Sequence, residues 1–186
     1  MRLRVVAGEL GGRVIEVPRR PGLRATSGRV REAWFSALGV RIHAAAVADL
    51  FAGSGVLGIE ALSRGAARVD FVEADRPLAE ALRRNLQALG LVERSRVLRA
   101  DVFATLDGAG GRGWDVVLAD PPYREGLAVR LATCFRERPF AGLLCLEHEP
   151  GALSAVPDAI WSRRYGDTEL TFLEAGRPDD ERDEHP

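Results

Sequence analysis

The chain has 186 residues, of which 46% are apolar and 28% charged, and its formal net charge is −1. This length and composition predict one globular domain with a single substantial core. Cys134 and Cys145 have neither metal-like nor redox spacing and the three histidines lie far apart, so we expect reduced thiols and no metal site. Because arginines interrupt the first residues and no long apolar run follows, we expect no signal peptide, no membrane helix and a cytoplasmic protein.

The N-terminal segment is predicted to form a small hairpin and a helix. Short apolar segments at residues 3–6 and 13–17 flank a glycine-rich turn, the pattern of a β-hairpin. A helix is predicted to begin at Thr26 or Ser27 and to continue past Trp34. The helical spacing of Trp34 from neighbouring apolar residues favours a core position over a base-stacking one.

The charges are distributed unevenly along the chain. Residues 1–31 hold eight arginines against two glutamates, which gives +6, whereas residues 177–186 hold two arginines against five acids, which gives −3. Arginine pairs with phosphate electrostatically and in bidentate geometry, so the basic segment predicts a polyanionic partner, the alternative being a solvated basic surface. The acidic tail has almost nothing to bury and is predicted to be disordered. The candidate nucleic-acid-binding residues are Arg4, Arg13, Arg24, Arg29 and Arg31.

From residue 47 onward, short apolar segments alternate with helix-like segments, which predicts an α/β fold with parallel strands joined by crossover helices. The predicted strands are residues 47–51, 69–74, 96–101, 114–120 and 143–149. Asp75 is predicted to cap the helix after the second strand, and Gly90 to end it. Segments 160–165 and 169–174 are separated only by a Gly-Asp-Thr turn, so we expect a closing antiparallel hairpin.

The first predicted strand leads into a glycine loop, residues 49–58, with the sequence Asp-Leu-Phe-Ala-Gly-Ser-Gly-Val-Leu-Gly. Gly53 and Gly55 permit a tight turn and close approach of the backbone to a ligand. This loop alone would equally suit a dehydrogenase that binds pyrophosphate at a helix N-terminus.

Acidic residues at the predicted strand ends extend this pattern. Glu73 ends the second strand, where a carboxylate can accept both hydroxyls of a ribose. Asp101 ends the third strand and can accept from an adenine amine, while Val102 can pack on the ring. Any one of these acids could be a surface residue or a helix cap. Three consecutive strand ends with Asp49, Glu73 and Asp101 favour a nucleoside-binding edge of the sheet.

The most specific motif is Asp-Pro-Pro-Tyr at residues 120–123, at the mouth of the fourth strand. An exocyclic amine of a purine delocalises its lone pair into the ring, so attack on a methyl sulfonium requires the nitrogen to become pyramidal and positive. The Asp120 carboxylate and the Pro121 carbonyl can accept its two N–H groups and orient the lone pair, and Tyr123 can stack on the base. The two prolines keep this arrangement rigid. The alternative is an ordinary β-turn.

With these motifs, the chain resembles the RsmD-like 16S ribosomal RNA guanine-N2 methyltransferases from about residue 4 to residue 174. Residues 4–13, 21–32, 49–65 and 120–123 carry the resemblance, and the two N-terminal segments are the discriminating ones. It implies the mostly parallel, Rossmann-like sheet of class I methyltransferases with a C-terminal antiparallel hairpin. The expected organisation is a basic extension over RNA and cofactor (1–40), a methyltransferase domain (41–176) and an acidic tail (177–186).

The resemblance implies S-adenosyl-L-methionine as the cofactor and S-adenosyl-L-homocysteine as its product. The glycine loop would approach the methionine end, Glu73 the ribose and Asp101 the adenine, while Thr26 would belong to a segment that folds over the cofactor. The implied cofactor-binding residues are Asp49, Gly53, Gly55, Glu73, Asp101, Val102 and Thr26. The catalytic residues would be Asp120, Pro121 and Tyr123.

The implied substrate is one guanine of 16S rRNA in a partly assembled small subunit, flipped or looped out for access. Several alternatives stay open, because the amine-binding motif does not name the base. An adenine-N6 methyltransferase on DNA or RNA is the nearest, followed by a protein glutamine-N5 methyltransferase, a non-catalytic nucleic-acid binder and a nucleotide-dependent oxidoreductase. Cytosine-C5 chemistry is disfavoured, because neither cysteine forms the Pro-Cys pair that its nucleophile would require.

Overall fold

The computed structural model describes residues 1–18, 26–108, 113–123, 126–156 and 159–176. The elements, in chain order, are β1 (Arg2–Arg4), β2 (Val14–Glu16), α1 (Gly28–Leu38), β3 (Ala46–Leu50), α2 (Val56–Ser63), β4 (Arg68–Val72), α3 (Arg76–Ala88), β5 (Ser95–Leu98), α4 (Val102–Asp107), β6 (Trp114–Ala119), α5 (Leu127–Glu137), β7 (Ala141–His148), β8 (Ala159–Tyr165) and β9 (Thr168–Glu174). Short 3-10 turns lie at Gly39–Ile42 and Val92–Arg94.

The main sheet has seven strands in the order β5-β4-β3-β6-β7-β9-β8. Strands β3 to β7 are parallel, whereas β9 runs antiparallel to both β7 and β8. The predicted mostly parallel α/β sheet with a C-terminal hairpin is confirmed, with strand bounds that differ by a few residues. From β3 the chain adds β4 and β5 on one side of the sheet, and it then crosses over to add β6 on the other side of β3. Ligands of open α/β sheets bind beyond the carboxyl ends of the strands at such a switch point.

The core fills both faces of this sheet. One cluster joins the N-terminal hairpin, α1 and α2 through fully buried side chains such as Ile15, Trp34 and Leu62. The other joins α4 and α5 through side chains such as Leu131 and Phe135. The predicted core position of Trp34 is therefore confirmed. Since β3 is buried along its whole length, its neighbours fix the position of the loop that follows it.

The N-terminal hairpin packs on α2 through a buried carboxylate. Glu60, fully buried, accepts hydrogen bonds from the amides of Val6 (2.8 Å) and Ala7 (3.0 Å) and pairs with Arg64 at 2.9 Å. The backbone approaches so closely that a Cβ on Gly8, whose φ is +86°, would lie 2.0 Å from the carbonyl oxygen of Ser63. The hairpin is thus held against the same core as the sheet.

The helix caps at Asp75 and Asp101 confirm one sequence prediction and correct another. Asp75 caps α3 by accepting from the Leu78 amide at 2.9 Å, and Gly90, with a φ of +71°, follows the end of the helix, as predicted. Asp101 does not end a strand, because β5 stops at Leu98. Its side chain instead accepts from the amide of Ala104 and begins α4. An acid before a helix satisfies its free amides, which explains this position.

None of the helices in the described ranges combines the length and apolar character that a membrane span requires. Among the same residues there is no group of three or more His, Cys, Asp or Glu side chains arranged to hold a metal ion. The predicted acidic tail, residues 177–186, lies outside the described residues.

Candidate active site

The glycine loop turns sharply from β3 into α2. Phe51, Gly53 and Gly55 have φ angles of +57°, +53° and +74°. Left-handed backbone at a non-glycine residue such as Phe51 is strained and tends to occur at functional sites. The carboxylate of Asp49 lies behind the loop, 2% exposed, and accepts from the amide of Gly58 at 2.9 Å. Burial raises the pKa of Asp49 well above its usual value. Asp49 therefore stabilises the conformation of the loop through its hydrogen bond to the Gly58 amide.

Two glycines are required by packing within the protein. A Cβ on Gly55 would lie 2.2 Å from a methyl carbon of Leu82 on α3, and one on Gly58 would lie 2.3 Å from a ring carbon of Phe71 on β4. From the sequence, the loop glycines were predicted to permit a tight turn and the close approach of a ligand. In the structure, side chains of α3 and β4 fill the space beside these two glycines, so the absence of a side chain at each lets the start of α2 pack close to α3 and β4.

Glu73 follows β4 directly and points across the loop. One carboxylate oxygen accepts from the amide of Gly53 at 2.6 Å, and the other accepts from the amide of Asp75 at 2.7 Å. A carboxylate oxygen can accept more than one hydrogen bond, so both oxygens retain capacity for a ligand. The partly buried side chain is held in one orientation by backbone amides. This pair of acceptor oxygens fits the two adjacent hydroxyls of a ribose, which would donate to it.

Asp101 and Val102 lie at the start of α4. Asp101 is exposed, and one of its oxygens caps the helix. Val102 is only 3% exposed and packs into the core, which leaves little of its surface for contact with an adenine ring. Phe103 packs edge-on against Phe51 with ring centroids 6.2 Å apart, and the guanidinium of Arg130 lies 3.7 Å from the Phe103 centroid. An aromatic and cationic wall thus lies beside the glycine loop.

The Asp-Pro-Pro-Tyr segment follows β6 at the same edge of the sheet. The carboxylate of Asp120 accepts from the hydroxyl of Thr26 at 2.7 Å. Burial and, to a smaller extent, the negative charge of Glu147 raise the pKa of Asp120 to about 7, against the opposing effect of the Thr26 hydrogen bond. Pro121 is buried beside it and Tyr123 is partly buried. Thr26, predicted to cover the cofactor, contacts Asp120, the carboxylate predicted to bind the amine.

Sequence reasoning missed a network behind Tyr123. Glu147, at the end of β7 and 6% exposed, accepts from the hydroxyls of Tyr123 (3.2 Å) and Thr168 (3.1 Å) and from the indole of Trp34 (3.4 Å). The hydroxyls of Tyr123 and Thr168 also contact each other, and because they carry only two protons, at most two of the three contacts among these hydroxyls and Glu147 are hydrogen bonds at any one time. Burial raises the pKa values of both Tyr123 and Glu147. The position of Glu147 near the end of a predicted strand was the signal that could have identified it.

The arginines proposed for nucleic acid fall into two groups. Arg4, Arg13 and Arg29 are exposed. Arg31 is 3% exposed, and its guanidinium donates to the carbonyl oxygens of Thr26 (2.6 Å) and Arg4 (2.7 Å). Burial lowers the pKa of Arg31. Arg31 is thus committed to the backbone of the N-terminal segment, which removes it from the phosphate-binding set.

Arg24, the remaining arginine of that set, lies outside the described residues. The predicted site residues that the structure does describe converge on one edge of the sheet, apart from the N-terminal arginines. The loop and Glu73 form one end of this edge, and Asp120 to Tyr123 form the other.

Solved structures identify the class of fold. An RNA methyltransferase from Salinibacter ruber, crystallised with S-adenosyl-L-homocysteine, matches 85% of this chain and 97% of its own length with a TM-score of 0.68 at 17% identity. The Escherichia coli protein yhhF, described as a candidate methyltransferase, matches 95% of this chain and all of its own with a TM-score of 0.83 at 32% identity. The fold is the Rossmann-like α/β fold of class I methyltransferases.

The family follows from the sequence. The model of the family described as Conserved hypothetical protein 95 matches residues 3–174, and the chain belongs to this family. Ribosomal RNA small subunit methyltransferase D of Escherichia coli is 41% identical over 126 residues, which cover 68% of this chain and 63% of that protein. Bacillus subtilis YlbH, described as a candidate rRNA methyltransferase, is 34% identical over 88% of this chain and 94% of its own. The RsmD-like resemblance is confirmed.

Proposed function

We propose that this protein is a cytoplasmic methyltransferase that transfers the methyl group of S-adenosyl-L-methionine to the exocyclic N2 amine of a guanine in 16S ribosomal RNA of the small subunit. The observation that carries the proposal is the partly buried Asp120 carboxylate, next to Pro121 and Tyr123, at the same sheet edge as the ribose-type acceptor Glu73. The names of the relatives support the reaction class and the RNA substrate.

The cofactor would lie across the carboxyl ends of β3 and β4. Gly53 would approach its methionine portion, Glu73 would accept from the ribose hydroxyls, and Asp101 would accept from the adenine amine with its remaining lone pairs. When bound, this group supplies an electrophilic methyl carbon on a sulfonium. The protein's own contribution is to hold an amine in line with that carbon.

Asp120 can do two things for the amine. Its carboxylate accepts one N–H while the Pro121 carbonyl accepts the other, which orients the lone pair and stabilises the positive charge that develops on nitrogen. The methylated nitrogen must then lose a proton. A carboxylate with a pKa of about 7 is a better proton acceptor at neutral pH than an ordinary aspartate, because catalytic bases work best near the operating pH.

The charge distribution favours guanine over adenine. Guanine presents only donors on this side of its Watson–Crick edge, N1–H and the N2 amine, whereas adenine places the N1 lone pair next to its amine. Asp120 and Glu147 are close enough for the charge of one to raise the pKa of the other. Two neighbouring carboxylates attract a donor-only edge and repel an acceptor.

The RNA would be held through phosphates by the exposed arginines Arg4, Arg13 and Arg29 of the N-terminal extension, residues 1–40. Arg24 remains a further candidate. This extension also carries Thr26, so it would connect the RNA-binding surface to Asp120. Unstacking the target guanine costs a few kcal/mol, which phosphate contacts can offset. Phosphate contacts do not distinguish nucleic acids, so DNA binding at the same surface is a secondary expectation.

Asp120→Ala tests the proposal directly. Calorimetry with S-adenosyl-L-homocysteine should give an affinity within about twofold of the unchanged protein, because Asp120 lies at the amine end. Methyl transfer to undermodified small subunits should fall by about 10² to 10³, the usual effect of removing one transition-state acceptor. Normal turnover by Asp120→Ala would refute the mechanism. Binding of NAD in place of S-adenosyl-L-homocysteine would instead favour an oxidoreductase.

A further inference from the structure

We infer that Glu147 is a positioning residue of this site, which holds the ring of Tyr123 through its hydroxyl and supplies a negative charge behind Asp120. The inference rests on the proposed function and deepens it, because it names a residue that acts on the amine-binding segment from a distant part of the sequence.

Glu147 connects three parts of the fold. One carboxylate oxygen accepts from Tyr123 and from Thr168, the first residue of β9, and the other oxygen accepts from Trp34 on α1. The donors lie 24, 21 and 113 residues away in sequence. A single carboxylate thus fixes the amine-binding segment relative to the last hairpin and the first long helix.

The environment of Glu147 is unfavourable for a purely structural carboxylate. Its three donors are neutral, and among the described residues no side-chain nitrogen of an arginine or histidine pairs with its carboxylate within 4.0 Å. Glu60, which is fully buried, has Arg64 at 2.9 Å. Burying a carboxylate without a cation costs stability, and such costs are retained at functional sites. Glu60 forms a structural ion pair with Arg64, whereas Glu147 has no such cationic partner among the described residues.

The first consequence concerns the ring of Tyr123. A tyrosine that stacks on a base needs a fixed ring plane, because a freely rotating ring loses entropy when the base binds. The hydroxyl of Tyr123 is held by both Glu147 and Thr168 at the far end of the ring.

The second consequence concerns Asp120. The titratable groups that face it are Glu147 from β7, Asp49 from β3 and Tyr123 from its own segment, and the Thr26 hydroxyl donates to it from the N-terminal side. Glu147 is the charge that raises the pKa of Asp120 most. Removing this charge should let Asp120 ionise at lower pH.

Glu147→Gln is the primary test, with Glu60→Gln as a matched control, since Glu60 is also buried but lies at the N-terminal hairpin. We expect Glu147→Gln to retain affinity for S-adenosyl-L-homocysteine within about twofold, to lower kcat about tenfold through weakened hydrogen bonds, and to move the acid limb of the kcat profile to lower pH. Glu60→Gln should lower the melting temperature and leave that limb in place.

A double-mutant cycle with Tyr123→Phe tests whether Glu147 acts through the tyrosine. The double variant should have about the kcat of the lower single variant, since Glu147→Gln weakens and Tyr123→Phe removes the same contact. Full additivity of the two losses, or an unchanged pH profile in Glu147→Gln, would overturn the inference.

Should Glu147→Gln fail to fold, Thr168→Val removes the hydroxyl that contacts both partners, and a wild-type kcat in Thr168→Val would equally overturn the inference. The unchanged protein separates the two proposals. Absence of methyl transfer by the unchanged protein would contradict the proposed function, whereas an active wild type with an unaffected Glu147→Gln would contradict only the role of Glu147.

Discussion

The two ends of the candidate site are built in different ways. At the cofactor end, the carboxylates of Asp49 and Glu73 accept from backbone amides that lie 2 to 20 residues away in sequence. At the proposed amine end, side chains contact side chains over 21 to 113 residues, as in the pairs Thr26 with Asp120 and Trp34 with Glu147. The first end depends on contacts between residues that are near in sequence, and the second depends on contacts that only the folded sheet brings together. Substitutions should therefore separate cofactor affinity from turnover.

Glu73→Ala should have the largest effect on the cofactor end. It removes the acceptor for two ribose hydroxyls together with the partner of the Gly53 and Asp75 amides. Since a hydrogen bond to a charged group is worth about 1.5–3 kcal/mol, loss of one net ribose contact should raise the Kd of S-adenosyl-L-homocysteine about 10- to 150-fold. Calorimetry measures it, and kcat at saturating cofactor should change much less. An unchanged Kd would contradict the assignment of Glu73 to the cofactor end.

The pH dependence of turnover should report the amine end. The pKa of Asp120 is raised to about 7. In the proposed mechanism, only the ionised carboxylate can accept the hydrogen bond from the amine and then take up the proton that the methylated nitrogen releases. As pH falls below 7, kcat should therefore decrease by about tenfold per unit. Asp120→Asn cannot titrate, so its lower kcat should be flat from about pH 5.5 to 8.5. A retained acid limb in Asp120→Asn would assign the titration to another group.

Thr26→Val should have the smallest effect and the opposite sign to Glu147→Gln. The Thr26 hydroxyl lowers the pKa of Asp120, so its removal should move the acid limb to higher pH. One hydrogen bond of about 1 kcal/mol corresponds to a shift of less than one pH unit. The profile of kcat against pH measures it, with cofactor affinity as the control. A large loss of affinity would return Thr26 to the cofactor end, as the sequence predicted.

The contrast between the two ends also explains what the sequence could predict. The alternation of apolar segments, the cap at Asp75 and the motifs at residues 49–58 and 120–123 are local patterns, and the structure bears out the sheet and the cap. Asp101 was wrongly placed at a strand end, because an acid before a helix has the same local sequence whether it ends a strand or caps the helix.

Local sequence patterns could not predict which side chains are buried or which distant residues they contact. Arg31 lies in a basic segment that looks exposed from its sequence, but in the fold it is buried and donates to the carbonyls of Thr26 and of Arg4, 27 residues earlier. Glu147 meets Thr168 because β9 returns antiparallel to β7, where Glu147 pairs with Leu170. Such a register is a property of the folded sheet.

The most direct measurement of the central claim is the identity of the methylated nucleoside. The protein is incubated with methyl-labelled S-adenosyl-L-methionine and undermodified small subunits, naked rRNA or DNA, and the nucleic acid is digested to nucleosides. The account predicts label in N2-methylguanosine from the small subunit, absent with Asp120→Ala. Label in N6-methyladenosine, or none in any nucleic acid, would contradict it.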